Sequence, residues 1–231
     1  MKAKIGVLYQ NDDTGADIRT GLRNGLGVEH AAMIIKEASY EVSDPTVDSQ
    51  IVALQSAGVD TVLIGATPKF AAQAIRKIYD IGWAPARYLG NPSSSIEAVL
   101  KPAGLTKSKG VITARFLKDP TDPRWKDDAG CNQWAAFVAK YLTPAQLGDQ
   151  VAIYGFSAAA LIVQVLKQCG DDLSRENIMR QATNIKDLDL PMLVPGIRVN
   201  TSPDNFRPIR QLQLARFNGE GWELFGGLMI D

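Results

Sequence analysis

The chain has little of what enzyme and metal centres are usually built from. Its 231 residues include two cysteines and one histidine. Cys131 and Cys169 show no CxxC or Cys/His metal spacing, so no metal site is expected. They read as buried packing thiols or as the two halves of one disulfide. His30, near Gly27 in a polar connection, has no nucleophile or acid beside it and reads as a surface residue. Net charge is missing as well, because 25 Lys+Arg offset 25 Asp+Glu. A balanced chain has no long-range attraction for nucleic acid or an anionic membrane surface, and no nucleic-acid partner is expected. No apolar run approaches the roughly 20 residues that span a bilayer. No secretory leader pattern shows either, since Met1-Lys-Ala-Lys leads straight into a strand.

Motifs for catalysis are also absent. Gly25-Leu-Gly27 runs on as Val-Glu-His30, without the third glycine of a dinucleotide fingerprint, and there is no GxxxxGK phosphate loop. Tyr154-Gly-Phe-Ser157-Ala lacks the flanking glycines of a nucleophile elbow. Asp12 and Asp13 suggest the acidic pocket of a receiver domain, but Gly65-Ala66-Thr67 supplies no aspartate after the central strand. No nucleophile–base pair or cofactor motif can be assembled, so neither an enzyme nor a cofactor is expected.

What remains is a regular alternation. Ile5 to Leu8 is a buried strand, Asn11 to Gly15 a polar turn, and Ile18, Leu22 and Leu26 lie at helical spacing. Met33-Ile-Ile35 marks a second strand, and Asp44-Pro-Thr-Val-Asp-Ser opens a helix with Val47, Ile51 and Leu54 inward. Thr61 to Ile64 is the clearest buried strand. Pro68 then starts a helix whose Phe70, Ala71, Ala74, Ile75 and Ile78 form one stripe. Short strands at 87–90 and 111–116 complete the series. Repeated units of this size predict an α/β fold with a doubly wound parallel sheet.

Leu117-Lys-Asp-Pro-Thr-Asp-Pro-Arg124 breaks that pattern and reads as a crossing. Beyond it come a helix around Trp134 to Tyr141, a polar loop, an apolar helix from Ser157 to Cys169, and a third helix capped by Ser174. If the first two pack antiparallel, Cys131 and Cys169 fall at the same end, where a disulfide or two reduced thiols would both fit. Gln211-Leu-Gln-Leu214, Asn218-Gly219 and Trp222 to Phe225 predict a C-terminal β-hairpin.

Three strand-to-helix turns carry the candidate ligand residues: Asn11, Asp12 and Thr14; Thr67; and Asn91, Ser93 and Ser94. Helix N-termini leave N–H groups unpaired and favour an anion such as a carboxylate. Each hydroxyl alone could simply cap its own helix, whereas three turns on one sheet edge make a ligand site. Tyr154 and Phe156 could stack on a ligand or serve packing equally well.

These stretches carry a resemblance. The Lys4–Gly15 run, Asp44-Pro-Thr-Val-Asp-Ser, Ala66-Thr-Pro-Lys-Phe-Ala-Ala-Gln73, Leu117-Lys-Asp-Pro-Thr-Asp-Pro, Tyr154-Gly-Phe-Ser-Ala-Ala, Leu173-Ser-Arg-Glu-Asn-Ile-Met-Arg and Leu193-Val-Pro-Gly-Ile-Arg-Val-Asn-Thr-Ser-Pro resemble ABC-transporter substrate-binding proteins. The subfamily is the branched-chain amino-acid (leucine/isoleucine/valine) type, with the type I periplasmic-binding-protein fold. The resemblance implies two doubly wound lobes clasping a ligand in the cleft between them, a periplasmic location, and delivery to an ABC-transporter permease. A ligand-sensing receptor or regulator domain of the same fold is the alternative. On this resemblance residues 1–116 are the ligand-binding second lobe, 117–128 a hinge crossing, 129–190 the helical part of an incomplete first lobe, and 191–231 a return segment with the hairpin.

Two further expectations follow from it. The apolar Leu161–Leu166 helix would lack the sheet it normally covers, so a homo-oligomer or a complementing N-terminal half is expected to bury it. Amino-acid-binding relatives carry an acid after the strand that ends here at Gly90, and Asn91-Pro-Ser-Ser-Ser95 has none. They commonly place an aromatic at the position of Thr14. A carboxylate without an α-ammonium, such as an aromatic or hydroxy acid, therefore stands beside a branched-chain amino acid as the implied ligand.

Overall fold

The computed structural model describes residues 2–230. The chain divides into two units, Met1–Thr113 with Arg216–Glu223 and Ala114–Ala215 with Leu224–Asp231. The fold is α/β, as the alternation predicts.

In the first unit β1 (Ile5–Gln10) lies between β2 (Ile34–Tyr40) and β3 (Thr61–Gly65), with β4 (Ala86–Leu89) and the start of β5 (Ile112–Arg115) beyond. All four pairings among these five strands are parallel. Val7 and Leu8 of β1 and Val62 and Ile64 of β3 are fully buried, which is the continuous apolar signature of a parallel strand covered on both faces. The connecting helices are α1 (Asp13–His30), α2 (Asp48–Ser56), α3 (Pro68–Asp80) and the short α4 (Lys101–Ala103) and α5 (Leu105–Ser108). The α3 stripe is buried as its spacing requires, from Phe70 through Ala71, Ala74 and Ile75 to Ile78. Between β4 and α4 the chain makes a π-helical turn at Ile96–Leu100.

Two details differ from the sequence reading. Helix α1 continues through Gly27, kinked there at φ 68°, ψ 171°, so exposed His30 ends a helix and does not sit in a loop. Helix α2 starts at Asp48, because Pro45 and Thr46 belong to the turn before it.

The second unit holds α6 (Ala129–Tyr141), α7 (Gln150–Cys169) and α8 (Arg175–Ala182), with Asp128, Asp149 and Ser174 capping their first turns. Residues 117–128, read as a crossing, are part of this unit. Lys118 N–H donates to the Met192 carbonyl at 2.9 Å, and Leu117 pairs with Leu193. Trp134, Ile153, Met192 and Ile197 form the fully buried centre of the core.

Helix α7 begins seven residues before Ser157, since Asp149 starts it, and it therefore takes in Tyr154 and Phe156. At 20 residues it is long and apolar enough, by length and composition, to cross a membrane, although no unbroken apolar run has that length. One face buries Ile153, Ser157, Val165 and Cys169. The rest leaves Val151 72%, Ile162 58% and Val163 48% exposed. Cys131 and Cys169 both lie in the core as free thiols, so the disulfide option is not realised.

The hairpin forms from β6 (Gln211–Phe217) and β7 (Trp222–Ile230). Its Asn218 side-chain oxygen accepts from the N–H groups of Glu220 and Gly221 at 2.9 and 3.0 Å. Gly219 takes φ 111°, a backbone region that suits glycine.

Candidate functional site

Strand order determines where the first unit can hold a ligand. In the order β2-β1-β3-β4-β5 the chain winds to one side from β1 and to the other from β3. The crevice opens at the carboxyl ends of those two strands. These ends are Gln10 and Gly65, and they deliver the turns at 11–14 and 66–69, while β4 delivers 91–94.

A hydrogen-bond chain joins the three turns. The Asn11 N–H donates to the Tyr40 carbonyl at 2.8 Å, and the Asn11 side-chain amide donates to Glu41 at 2.5 Å. Tyr40, buried at the end of β2, accepts from the Thr67 N–H at 3.0 Å. Its hydroxyl also meets Thr67 Oγ1 and Gln10 Oε1, each at 3.3 Å, and its ring packs 4.4 Å from Phe70. Ser93 Oγ donates to the Ala66 carbonyl at 2.6 Å. Asn11, Asp12, Thr67, Asn91, Ser93 and Ser94 thus share one sheet edge. Thr14 stands exposed one residue into α1.

The helix caps separate groups already engaged within the fold from groups that are not. At α1 the cap is Asp12, not Thr14: the Gly15 N–H donates to Asp12 Oδ1 at 2.9 Å, and the Gln10 amide holds the other oxygen. The Gly15 N–H, with Gln10 second, keeps Asp12 below its ordinary carboxylate range, so this helix end already has its anion. Gly15 itself is obligatory, because a Cβ there would meet the Gln10 carbonyl oxygen at 1.8 Å. Ser93 and Ser94 are buried, and the turn after them is capped by Ser95, which accepts from the Ala98 N–H at 3.1 Å. At α3, Thr67 holds the cap position but makes no capping bond with its side chain. Pro68 has no N–H and the Ala71 N–H donates to the Thr67 carbonyl at 2.9 Å, so among the described residues the N–H groups of this 13-residue helix left without an acceptor in its first turn are those of Lys69 and Phe70. Exposed Lys69 lies in the same turn, 4.7 Å over the Phe70 ring and without an ion pair among the described residues.

Sequence reading missed Tyr40, Glu41 and Lys69. The signal for Lys69 was available: a lysine in a first helical turn opposes the helix dipole and asks for another reason to be there. Tyr40 reads as ordinary strand alternation, and only the neighbouring turns give its hydroxyl a purpose. Tyr154 and Phe156 belong to the second unit. Phe156 packs 5.3 Å from the Trp134 ring and 5.2 Å from Phe137, and Tyr154 is 60% exposed. No group of three metal-binding side chains occurs among the described residues.

Comparison with family models matches the periplasmic binding protein model over residues 2–221. The chain belongs to that family. No curated protein matches it. Among solved structures, the chain is similar to a substrate-binding periplasmic protein from Ralstonia solanacearum, at 25% identity and a TM-score of 0.74, over 98% of this chain and 61% of that one. A branched-chain amino-acid ABC transporter protein from Thermus thermophilus with bound valine shares the fold at a TM-score of 0.84 and 13% identity, over 100% and 61% of the two chains. A fatty-acid ABC transporter substrate-binding protein from Thermomonospora curvata does so at 0.72 and 19%, over 100% and 59%. The chain thus spans about 61% of the length of the first two. The family and these neighbours are binding proteins, not enzymes, and the Thermus and Thermomonospora proteins belong to ABC transporters.

Proposed function

We propose that this chain is the solute-binding component of an ABC importer, taking up a small carboxylate-bearing ligand in the periplasm and passing it to a membrane permease. The observation that carries the ligand class is the uncapped N-terminus of α3 at the sheet's switch point, with Lys69 beside it. A carboxylate there would accept from first-turn N–H groups and offset the unpaired ammonium. Asn11, Thr14, Thr67 and Asn91 line the same edge as candidate contacts, while buried Ser93 and Ser94 hold its shape. Binding needs no cofactor and no bond making. A second reading has its own support: exposed Asp13 and Glu41 border the edge and could pair with an ammonium, which favours a branched-chain amino acid over an aromatic or hydroxy acid.

A thermal-shift panel tests both readings, using leucine, its deaminated analogue 4-methylpentanoate, and benzoate. A ligand present at a thousand times its Kd stabilises by about 4 kcal/mol. The leading reading expects the acids to raise Tm and Lys69→Gln to reduce that gain. Leucine acting alone selects the amino-acid reading. No shift from any of the three removes the carboxylate reading.

The exposed face of α7 needs a cover. Each large apolar side chain left in water forgoes roughly 1.5–3 kcal/mol relative to burial. We place against it a second copy of this chain or a separate polypeptide carrying further strands of the fold. Light scattering of the purified chain at several concentrations checks this, and a compact monomer throughout would argue against it.

A further inference from the structure

The second unit contains a polar cleft of about 410 Å³ that the proposed transport role leaves unused. Asp187, Arg198, Asn200, Arg210 and Gln211 line it. Its frame is firmly held. Leu188 and Val199 exchange two backbone hydrogen bonds at 3.1 and 2.9 Å, and the Asn200 N–H donates to the Pro208 carbonyl at 3.1 Å.

Two side-chain amides in this frame have a determined orientation. Asn200 Oδ1 accepts from the Asp187 N–H at 2.9 Å, and Gln211 Oε1 accepts from the Arg198 N–H at 2.9 Å. A backbone N–H can only donate, so each amide must turn its oxygen to the backbone and keep its NH₂ on the other side. Neither NH₂ group has a partner among the described residues. Asp187 holds φ 47°, a left-handed conformation that aspartate tolerates better than most residues, and this places its N–H against Asn200.

The charges sort themselves in the same way. Arg198 is already engaged, 2.7 Å from Asp189 and 3.8 Å from Asp187. Arg210 is exposed and has no ion pair among the described residues. The cleft therefore offers one uncommitted guanidinium and two pre-oriented NH₂ donors. Its lining carboxylate, Asp187, is the one already facing Arg198. Donors without matching acceptors fit an anion, and a planar guanidinium beside amide N–H groups suits an oxyanion accepting two bonds at once.

We propose that this cleft is a binding site for a small free oxyanion, a carboxylate or a phosphate, held by Arg210 together with the side-chain NH₂ groups of Asn200 and Gln211. The site uses residues of the second unit alone and does not depend on the ligand reading for the first unit.

NMR titration of the full chain with inorganic phosphate, and separately with acetate, follows the side-chain amide resonances of Asn200 and Gln211. The expected result is a saturable shift of both. Tighter binding of phosphate assigns the site to phosphates, and the reverse assigns it to carboxylates. Asn200→Asp and Gln211→Glu keep the oxygen that each backbone N–H needs but replace the NH₂ donor by an acceptor. Each should weaken binding about tenfold or more. Arg210→Gln removes an exposed side chain that makes no hydrogen bond or ion pair among the described residues, so it tests the site even if an amide variant folds poorly. Absence of a saturable shift, or an Arg210→Gln protein that binds both anions as the parent does, overturns the proposal.

Discussion

Asp128→Asn isolates one charge in the second unit with little change of shape. Lys118 Nζ lies 2.9 and 2.8 Å from the two Asp128 oxygens and 3.0 Å from the Pro191 carbonyl, with the Trp125 ring centre at 5.5 Å. The Lys118 side chain is 8% exposed and that of Asp128 22%. Asparagine retains the cap, since its oxygen can still accept from the Cys131 N–H now held at 2.9 Å. What it removes is the countercharge of a buried ammonium. Breaking a fully buried pair costs about 3–5 kcal/mol. The partial exposure of Asp128 lowers the expectation to about 2–4 kcal/mol. In urea that corresponds to a midpoint roughly 1–2 M lower at an unchanged slope.

The pH dependence gives a second, independent check. Burial pushes the Asp128 pKa up, but the Lys118 hydrogen bonds and the Cys131 N–H outweigh it and hold the group below its ordinary range. A depressed folded-state pKa adds stability above the unfolded value near 4, and that stability is lost as pH falls through the folded value. The gap between parent and Asp128→Asn should therefore be full at neutral pH and close as pH drops below about 4. A variant within about 0.5 kcal/mol of the parent at pH 7, or a gap that persists in acid, would refute the reasoning.

Two further predictions concern Tyr40, which no local pattern singles out, and the two cysteines, whose state the sequence left open. Tyr40→Phe keeps the ring against Phe70 but removes the hydroxyl shared by Thr67 and Gln10, and should cost about 1 kcal/mol in chemical denaturation; a neutral result would mean the hydroxyl does not tie the turns together. Cys131 and Cys169 should resist a thiol reagent in the native protein, since both are buried and burial, with Asp128 second, pushes Cys131 up to about 12. Non-reducing denaturant should then release two titratable thiols, and finding none would restore the disulfide.

The sequence by itself determined the parallel α/β unit. The short apolar runs holding Val7, Leu8, Val62 and Ile64, each bounded by turn residues, fit strands covered on both faces, and the Phe70–Ile78 stripe marks the helix face turned to the core. The C-terminal hairpin was equally legible, because Asn218-Gly219 supplies a capping oxygen and a permissive backbone at adjacent positions. Helix boundaries were less so. The sequence reading begins the apolar helix only at Ser157, after Gly155, yet the Asp149 cap starts α7 before Tyr154 and Phe156. Which turn residues are free to meet a ligand was decided by tertiary structure alone. Thr14, Thr67, Ser93 and Ser94 are equivalent hydroxyls in the sequence. Folding gives the α1 cap to Asp12, sends Ser93 to the Ala66 carbonyl, and leaves α3 uncapped beside Lys69. The physical reason is that a hydroxyl or amide acts through its partner. Partners such as Tyr40 for Thr67 are brought close by strand order, which lies beyond any local pattern in the chain.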